Sequence, residues 1–448
     1  MKTEKLKQNV KGYVHQFEDG GLRLLRKGQK GVIHAIFSRF GLVLILLLLQ
    51  VGLLFSIFRW FGNLWPHYFG GSVVVTSAMV IYLLNSKMDN SAKITWMVVV
   101  AIAPVVGIPM FFYVKSNFGH NILRKRLLEL EDQLRGWLPQ SQKAVEQLKA
   151  LEPGAASLAK YLYGRGGGFP VYQNTAMTYF PGGEAKFEEL LRQLETAEEY
   201  IFVEYFIIDE GLMWGKILEV LARKALQGVD VRVMYDGTCE FSTLPRNYPR
   251  LLEKLNIQCK VFSPVQPFVS THYNYRDHRK ILVIDGRVGF TGGVNLADEY
   301  INHIQKHGRW KDAAVMLEGE AVRSLTAQFL QMWGILKEPE YEQFLTRPIP
   351  VPENAKGVAA PYGDCPLDGE RVGEMVYIDL LNRARDYIHI MTPYLILDGE
   401  LETALKFAAE RGVDVHLILP GKPDKQFPYA LATVSYTHLR AHETCADL

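Results

Sequence analysis

Two stretches of the chain repeat one another, and the repeat narrows the folds open to it. Residues 197–237 begin AEEYIFVEYFIIDEGL and end LARKALQGVDVRVMYDG; residues 384–421 begin ARDYIHIMTPYLILDGEL and end LKFAAERGVDVHLILPG. Each copy opens with Tyr-Ile and runs as an apolar strand to an Asp. It then passes through an amphipathic helix and turns at Gly-Val-Asp-Val into a second apolar strand closed by Gly. Tyr200 and Gly228 are 28 positions apart, Tyr387 and Gly412 are 25. Strands alternating with helices in this way argue for an α/β layer architecture with a mixed or parallel sheet. The first copy predicts strands at 200–208, 230–235 and 259–262, and helices at 215–227 and about 248–255. The shared GVDV and Tyr-Ile argue for duplication over a chance pair of βαβ units.

The chain ahead of the repeat is of another kind. Residues 40–58 form 19 positions without a charge, and 64–84 and 94–114 form 21 each. A helix of about 20 apolar residues crosses a bilayer. The first and third stretches are therefore read as transmembrane helices. The second holds His67, Gly70, Gly71, Ser72, Thr76 and Ser77, and reads as a span or as a re-entrant or buried helix. Pro104 and Pro109 are compatible with a membrane helix. The first stretch starts too late and is too long for a cleaved leader. Residues 1–40 carry nine Lys/Arg against three Asp/Glu, which favours a cytoplasmic N-terminus. Arg124-Lys125-Arg126 favours the same side for the chain beyond the last span. Both hold only for an even number of spans.

A formal charge of +2 argues neither for nor against a nucleic-acid partner. Cys239, Cys259, Cys365 and Cys445 are scattered, which excludes a disulfide scaffold or zinc spacing and makes a reducing compartment the default. Residues 121–151 read as a charged amphipathic helix connecting to the next domain, and Pro153-Gly154 and the glycines of 164–168 mark a boundary. The chain divides into a basic segment (1–39), a membrane anchor (40–115), a helical linker (116–160), a first α/β domain (161–345), an incomplete second copy (346–434) and a tail (435–448).

Chemistry concentrates in His278-Arg279-Lys280-Ile281-Leu282-Val283-Ile284-Asp285, followed by Thr291-Gly292-Gly293-Val294-Asn295. On an extended segment, side chains two apart share a face. That sets an imidazole beside an ammonium, with two glycines and a carboxamide one hairpin later. Such a group suits one phosphate: Lys280 as cation, Asn295 as donor, His278 as nucleophile or proton carrier. HxK alone is commonly a strand with a surface His and Lys; HxKxxxxD followed by GGxN is far rarer.

These motifs on duplicated α/β halves resemble the phospholipase D superfamily. VEYFIIDEG, VRVMYDG, NYRDHRK, TGGVNLADEY and MTPYLILDG, with the apolar N-terminus, resemble bacterial cardiolipin synthases over nearly all of residues 35–434. The resemblance implies duplicated phospholipase D-like mixed-sheet domains, the second incomplete, preceded by two or three transmembrane helices. It implies a multi-pass protein of the bacterial plasma membrane with a cytoplasmic catalytic domain. Its partners would be phosphatidylglycerol and membrane lipids rather than nucleic acid, with no metal or organic cofactor. One phosphatidylglycerol gives its phosphatidyl group to another and releases glycerol. His278 is implied as the nucleophile, Lys280 and Asn295 as partners of the phosphate oxygens, and Gly292 and Gly293 as the close backbone approach. Asp312, in Gly308-Arg309-Trp310-Lys311-Asp312, stands where WRD is usual and would hold the far ring nitrogen of His278. Asp285 belongs to the motif with an implied structural salt-bridge role. Glu204, mid-strand in an apolar run, is expected in a buried polar contact near the pocket.

The family carries two such motifs, and here only one is found. Gly237 precedes His278 by 41 residues, whereas 27 remain after Gly421. His438-Leu439-Arg440, with Asp447 nine residues after the His, matches neither HxK nor the spacing to Asp. The tail reads as translated sequencing-adapter read-through or as natural truncation, and the chain is expected to be inactive or nearly so. The rival readings are a membrane-anchored hydrolase, a single-motif phosphodiesterase that dimerises, and a non-catalytic membrane scaffold.

Overall fold

The computed structural model describes residues 15–16, 22–23, 65–86, 88, 90–115, 118–263, 276–306, 308–335 and 337–440. They fall into two compact units, one of residues 1–25, 123–264 and 276–448, the other of residues 26–122 and 265–275. In the smaller unit, α1 (Trp65–Leu84) matches the expected helix at 64–84. The single helix expected over 94–114 is instead two, α2 (Asn90–Ile102) and α3 (Pro104–Lys115). Pro104 has no N–H to continue the ladder, and its ring crowds the preceding turn, so the chain restarts there. Met79, Leu83, Val100 and Phe111 form a small core, with Trp96 edge-on to Phe111 at 5.2 Å. Val74, Ile81, Ile94, Ile102 and Phe112 are exposed on the outer faces. Among the described residues no helix is long and apolar enough to cross a membrane; the expected span at 40–58 lies outside them.

From residue 123 the chain continues in the larger unit with the rest of α4 (Phe118–Trp137), then α5 (Gln142–Leu151) and α6 (Pro153–Gly164). The first domain then runs through β1 (Thr175–Phe180), α7 (Gly183–Leu194), β2 (Tyr200–Tyr205), α8 (Leu212–Leu226), β3 (Asp230–Asp236), α9 (Tyr248–Glu253) and β4 (Gln258–Phe262). Next come β5 (Lys280–Ile284), β6 (Val288–Gly292), a 3-10 turn (Asp298–Ile301), β7 (Ala314–Gly319), α10 (Val322–Trp333) and α11 (Tyr341–Leu345). The strands make one mixed sheet in the order β1-β7-β6-β5-β2-β3-β4. β2, β3 and β4 are parallel, and the other neighbours are antiparallel. This is the expected mixed α/β layer.

Alternation decides which face each strand residue takes. Ile201, Val203, Tyr205, Leu282 and Ile284 pack with Met213, Trp214, Ile217 and Leu221 of α8. Tyr200, Phe202, Ile281 and Val283 pack with Leu325, Phe329 and Trp333 of α10, where Phe202 stacks on Phe329 at 4.4 Å. Phe329 is fully buried, and its truncation to Ala would cost about 3–5 kcal/mol. Leu127, Leu134 and Leu138 join this second core. The segment expected as a connector is thus part of the domain body: its leucines recur at helical spacing, and burying them outweighs leaving them free. Arg124 and Arg126 of the basic cluster also engage the domain, donating to Leu367 O at 2.7 Å and Lys337 O at 2.8 Å.

The repeat is visible as matched strand register. The second copy comprises α12 (Val372–Arg383), β8 (Tyr387–Met391), α13 (Gly399–Glu410), β9 (Asp414–Ile418) and α14 (Gln426–Arg440). β2 pairs β3 in parallel from Tyr200 opposite Asp230; β8 pairs β9 in parallel from Tyr387 opposite Asp414. Gly228 and Gly412 both adopt positive φ, +96° and +88°, at the turn entering the second strand. Only glycine takes that conformation freely.

Candidate active site

The motif strand β5 begins at Lys280, so His278 lies two residues ahead of its first rung. Phe206 N–H donates to Arg279 O at 3.1 Å and extends the pairing with β2 past the strand end. The His278 ring reaches solvent on one side and is partly desolvated by its neighbours on the other, whereas Lys280 is buried. The Lys280 Nζ donates to the main-chain oxygen of His278 at 2.6 Å. The Phe206 ring lies under both, 4.6 Å from the imidazole and 5.3 Å from the ammonium. Lost hydration lowers the His278 pKa to about 4, with help from the charges of Lys280 and Lys425. Burial lowers Lys280 to about 8, opposed by Asp277 and Asp312. The expected His–Lys adjacency is present.

The two glycines make room for protein. A Cβ on Gly292 would lie 2.6 Å from Ala313 O, and one on Gly293 would lie 2.0 Å from the Asp312 Oδ1. Asn295 is buried, its Oδ1 accepting from Ile207 N–H at 3.1 Å and its Nδ2 donating to the Tyr300 hydroxyl at 2.8 Å. A carboxamide nitrogen has two N–H groups, and this contact uses one. Asp312 accepts from its neighbour Ala313 N–H at 2.8 Å. Burial raises its pKa, offset in part by Lys186 and Lys280. Among the described residues no hydrogen bond joins Asp312 to the His278 ring. The expected imidazole–carboxylate contact is replaced by an electrostatic one to two lysines.

Asp285 is elsewhere. It closes β5 at the far end from Lys280, roughly 16 Å along five extended residues. Its carboxylate accepts the N–H groups of Glu198, Glu199 and Tyr200 at 2.8–2.9 Å, and Arg287 Nε lies 3.8 Å away. The implied structural role fits this position, although main-chain bonds dominate the ion pair.

On the opposite face of β2, Glu204 is fully buried with both oxygens unbonded, 3.7 Å from Arg279 Nη1. Desolvation and the neighbouring Asp277 raise its pKa well above the usual carboxylate range. Asp277 is raised by burial as well, opposed by the charge of Arg279. Lys186, Phe206 and Asp277 were not picked out from the sequence. Nor were three residues of the second copy. Tyr394 donates to Asp424 Oδ2 at 2.6 Å, and Lys425 Nζ lies 5.4 Å over the Tyr394 ring. The charge of Lys425 acts on His278 and that of Asp424 on Tyr300. Among the described residues, metal-type donors converge at His389, Asp414 and His416 and at Glu374, Asp398 and Glu400, neither group including a residue of the site.

The family described as "Cardiolipin synthase, PLD-like domain" matches residues 190–333 and 377–446. A cardiolipin synthase of Geobacillus kaustophilus is 34% identical over 363 residues, 80% of this chain and 70% of that protein. The chain belongs to the bacterial cardiolipin synthases of the phospholipase D superfamily. An uncharacterized protein of Streptococcus mutans is 55% identical over 79% of this chain and 76% of its own length. A phosphatidylserine synthase structure from Haemophilus influenzae aligns with 61% of this chain and 70% of its own at 14% identity and a TM-score of 0.41. The cardiolipin synthase family is of the phosphatidyltransferase or phosphodiesterase type.

Proposed function

We propose that the site transfers a phosphatidyl group from one phosphatidylglycerol to another through a phosphohistidine at His278. The observation behind this reading is the protonation pattern of one adjacent pair. Between about pH 4 and pH 8, His278 is a free base while Lys280 keeps its proton. A nucleophile and an anion clamp need those two states together. An imidazole nitrogen of His278 attacks phosphorus, and the bond to the first glycerol breaks with its electron pair going to the glycerol oxygen. Lys280, and the second N–H of Asn295, offset the charge on the non-bridging oxygens. A hydroxyl of the second phosphatidylglycerol then attacks phosphorus and passes its proton to the group that protonates the departing glycerol oxygen, while the P–N bond breaks and frees His278.

The departing glycerol oxygen needs a proton. The family resemblance assigns that step to a second His, which the 448 residues do not hold in an HxK motif. We therefore propose that complete turnover requires a second half-site. The exposed Val74, Ile81, Ile94, Ile102 and Phe112 of α1–α3 support a membrane location for the smaller unit.

The test uses cells devoid of cardiolipin synthases, with cardiolipin measured by mass spectrometry. A version carrying a second motif should restore cardiolipin, and its His278→Ala variant should not. Phosphatidic acid in place of cardiolipin would identify water as the acceptor. Cardiolipin made by the His278→Ala variant would refute the assignment of the nucleophile.

A further inference from the structure

Lys186 is a charged group that the proposed transfer leaves without a role. It lies in the first turns of α7, 1% exposed, and its Nζ donates to the Tyr205 hydroxyl and to Val294 O, both at 3.0 Å. Val294 separates Gly293 from Asn295, and Tyr205 is the register partner of Lys280. Lys186 is thus built into the wall of the site from behind. An ammonium has three donors, and these contacts use two.

The polar and ring contacts of both buried ammonium groups among the described residues are neutral: a hydroxyl, two main-chain carbonyls, and the rings of Tyr205 and Phe206. Asp312 attracts both lysines without an ion pair to either, and the lysines repel one another. Asp277 also attracts Lys280, yet among the described residues neither ammonium is ion-paired. Burial without a paired anion is unfavourable, so such groups shed protons or await an anion. Lys186 is lowered to about 7 by burial, with Lys280 adding repulsion and Asp312 opposing.

We propose that Lys186 is the second cation of a two-lysine anion site, holding a phosphoryl group together with Lys280 and taking up a proton as that group binds. This rests on the reading of His278 and Lys280 as a phosphate site. The titratable groups that act on Lys186 are Tyr205 from β2, which accepts its hydrogen bond, Lys280 from β5 and Asp312 from the loop before β7. Of these, Asp312 and Lys280 change its charge state most directly. An incoming phosphate favours the ammonium form of both lysines, so binding draws protons from the buffer near neutral pH.

Inorganic phosphate is titrated into the full chain in detergent by calorimetry, in two buffers of different ionisation enthalpy, giving affinity and proton uptake together. Lys186→Met is expected to weaken binding by about tenfold or more and to reduce the uptake. Lys186→Arg should retain affinity and lose the uptake due to this position. Unchanged affinity and uptake in a folded Lys186→Met protein would reduce Lys186 to a tie for Val294 and overturn the proposal. Should that variant not fold, the Lys186 Nζ resonance of wild type decides, assigned by its loss in Lys186→Arg. A midpoint that rises with phosphate supports the proposal; a midpoint that does not move overturns it. A folded wild type that binds no phosphate while Lys186 titrates normally defeats the underlying reading of His278 and Lys280, and this proposal with it.

Discussion

The carboxylate of Asp285 accepts the main-chain N–H of Tyr200 at 2.9 Å and ties the end of the motif strand to the start of β2. It also accepts from the two preceding residues, and it holds a left-handed φ of +51°. Asp285→Ala removes three acceptor contacts and puts a Cβ-only residue in a strained region. The expected loss is about 2–3 kcal/mol, read as a lower urea midpoint. Asp285→Asn, which keeps one acceptor and tolerates that φ, should lose less. Equal midpoints for Asp285→Ala and wild type would show that the strand start is held by other means.

Gly293→Ala should displace the Asp312 carboxylate. The added Cβ would lie 2.0 Å from Oδ1, far inside contact distance. Relief by moving the loop would cost about 1–3 kcal/mol. Moving Asp312 away would remove the charge that supports the ammonium forms of Lys186 and Lys280. Lysine titration followed by nitrogen-15 NMR should then show both midpoints lower than in wild type. Unmoved midpoints would mean that Asp312 keeps its place.

The acid limb of phosphohistidine formation should fall near pH 4, well below the usual histidine range. His278 has its free-base form disfavoured only below that point, because burial and two nearby lysines oppose its protonation. Labelled phosphatidylglycerol and acid-quenched single turnovers, with the second half-site supplied, give the profile. A limb near 6.5 would mean that substrate or water restores hydration to the ring.

Glu204→Gln should become relatively more stabilising as pH rises from 5 to 8. The folded pKa of Glu204 is raised, so its contribution is greatest below the unfolded carboxylate range and is lost as pH climbs towards the folded value. Gln has no proton to lose, and comparing variant with wild type cancels the opposite trend of the buried lysines. Urea unfolding at the two pH values measures the gap. A constant gap would show that Glu204 does not change its charge state in that range.

Much of the framework was legible because it rests on short-range periodicity. Period 2 placed His278 beside Lys280, and the GVDV repeat anticipated two parallel strand pairs of the same register. The break at Pro104 was not read from the sequence, because a proline is compatible with a continuous membrane helix and the 21 uncharged residues favoured one. Other features depend on contacts that no local pattern encodes. Lys186 looks like an ordinary helix lysine until Val294, 108 residues away, closes over it. Asp312 was assigned to the imidazole by analogy, but the close approach of Gly293 sets its carboxylate against the lysines. Asn295 reads as a phosphate donor, yet its carbonyl oxygen is engaged by Ile207.

Shared register makes the two halves comparable rung by rung, and the comparison exposes an asymmetry. The rung of Glu204 is taken by Met391, that of Phe202 by His389 and that of Arg232 by His416. The first copy thus buries an acid on a rung where the second has an exposed thioether. A chain assembled from two first copies would bury that acid twice, whereas one assembled from two second copies would carry a methionine on both rungs. After duplication the halves share a backbone but have ceased to be interchangeable parts.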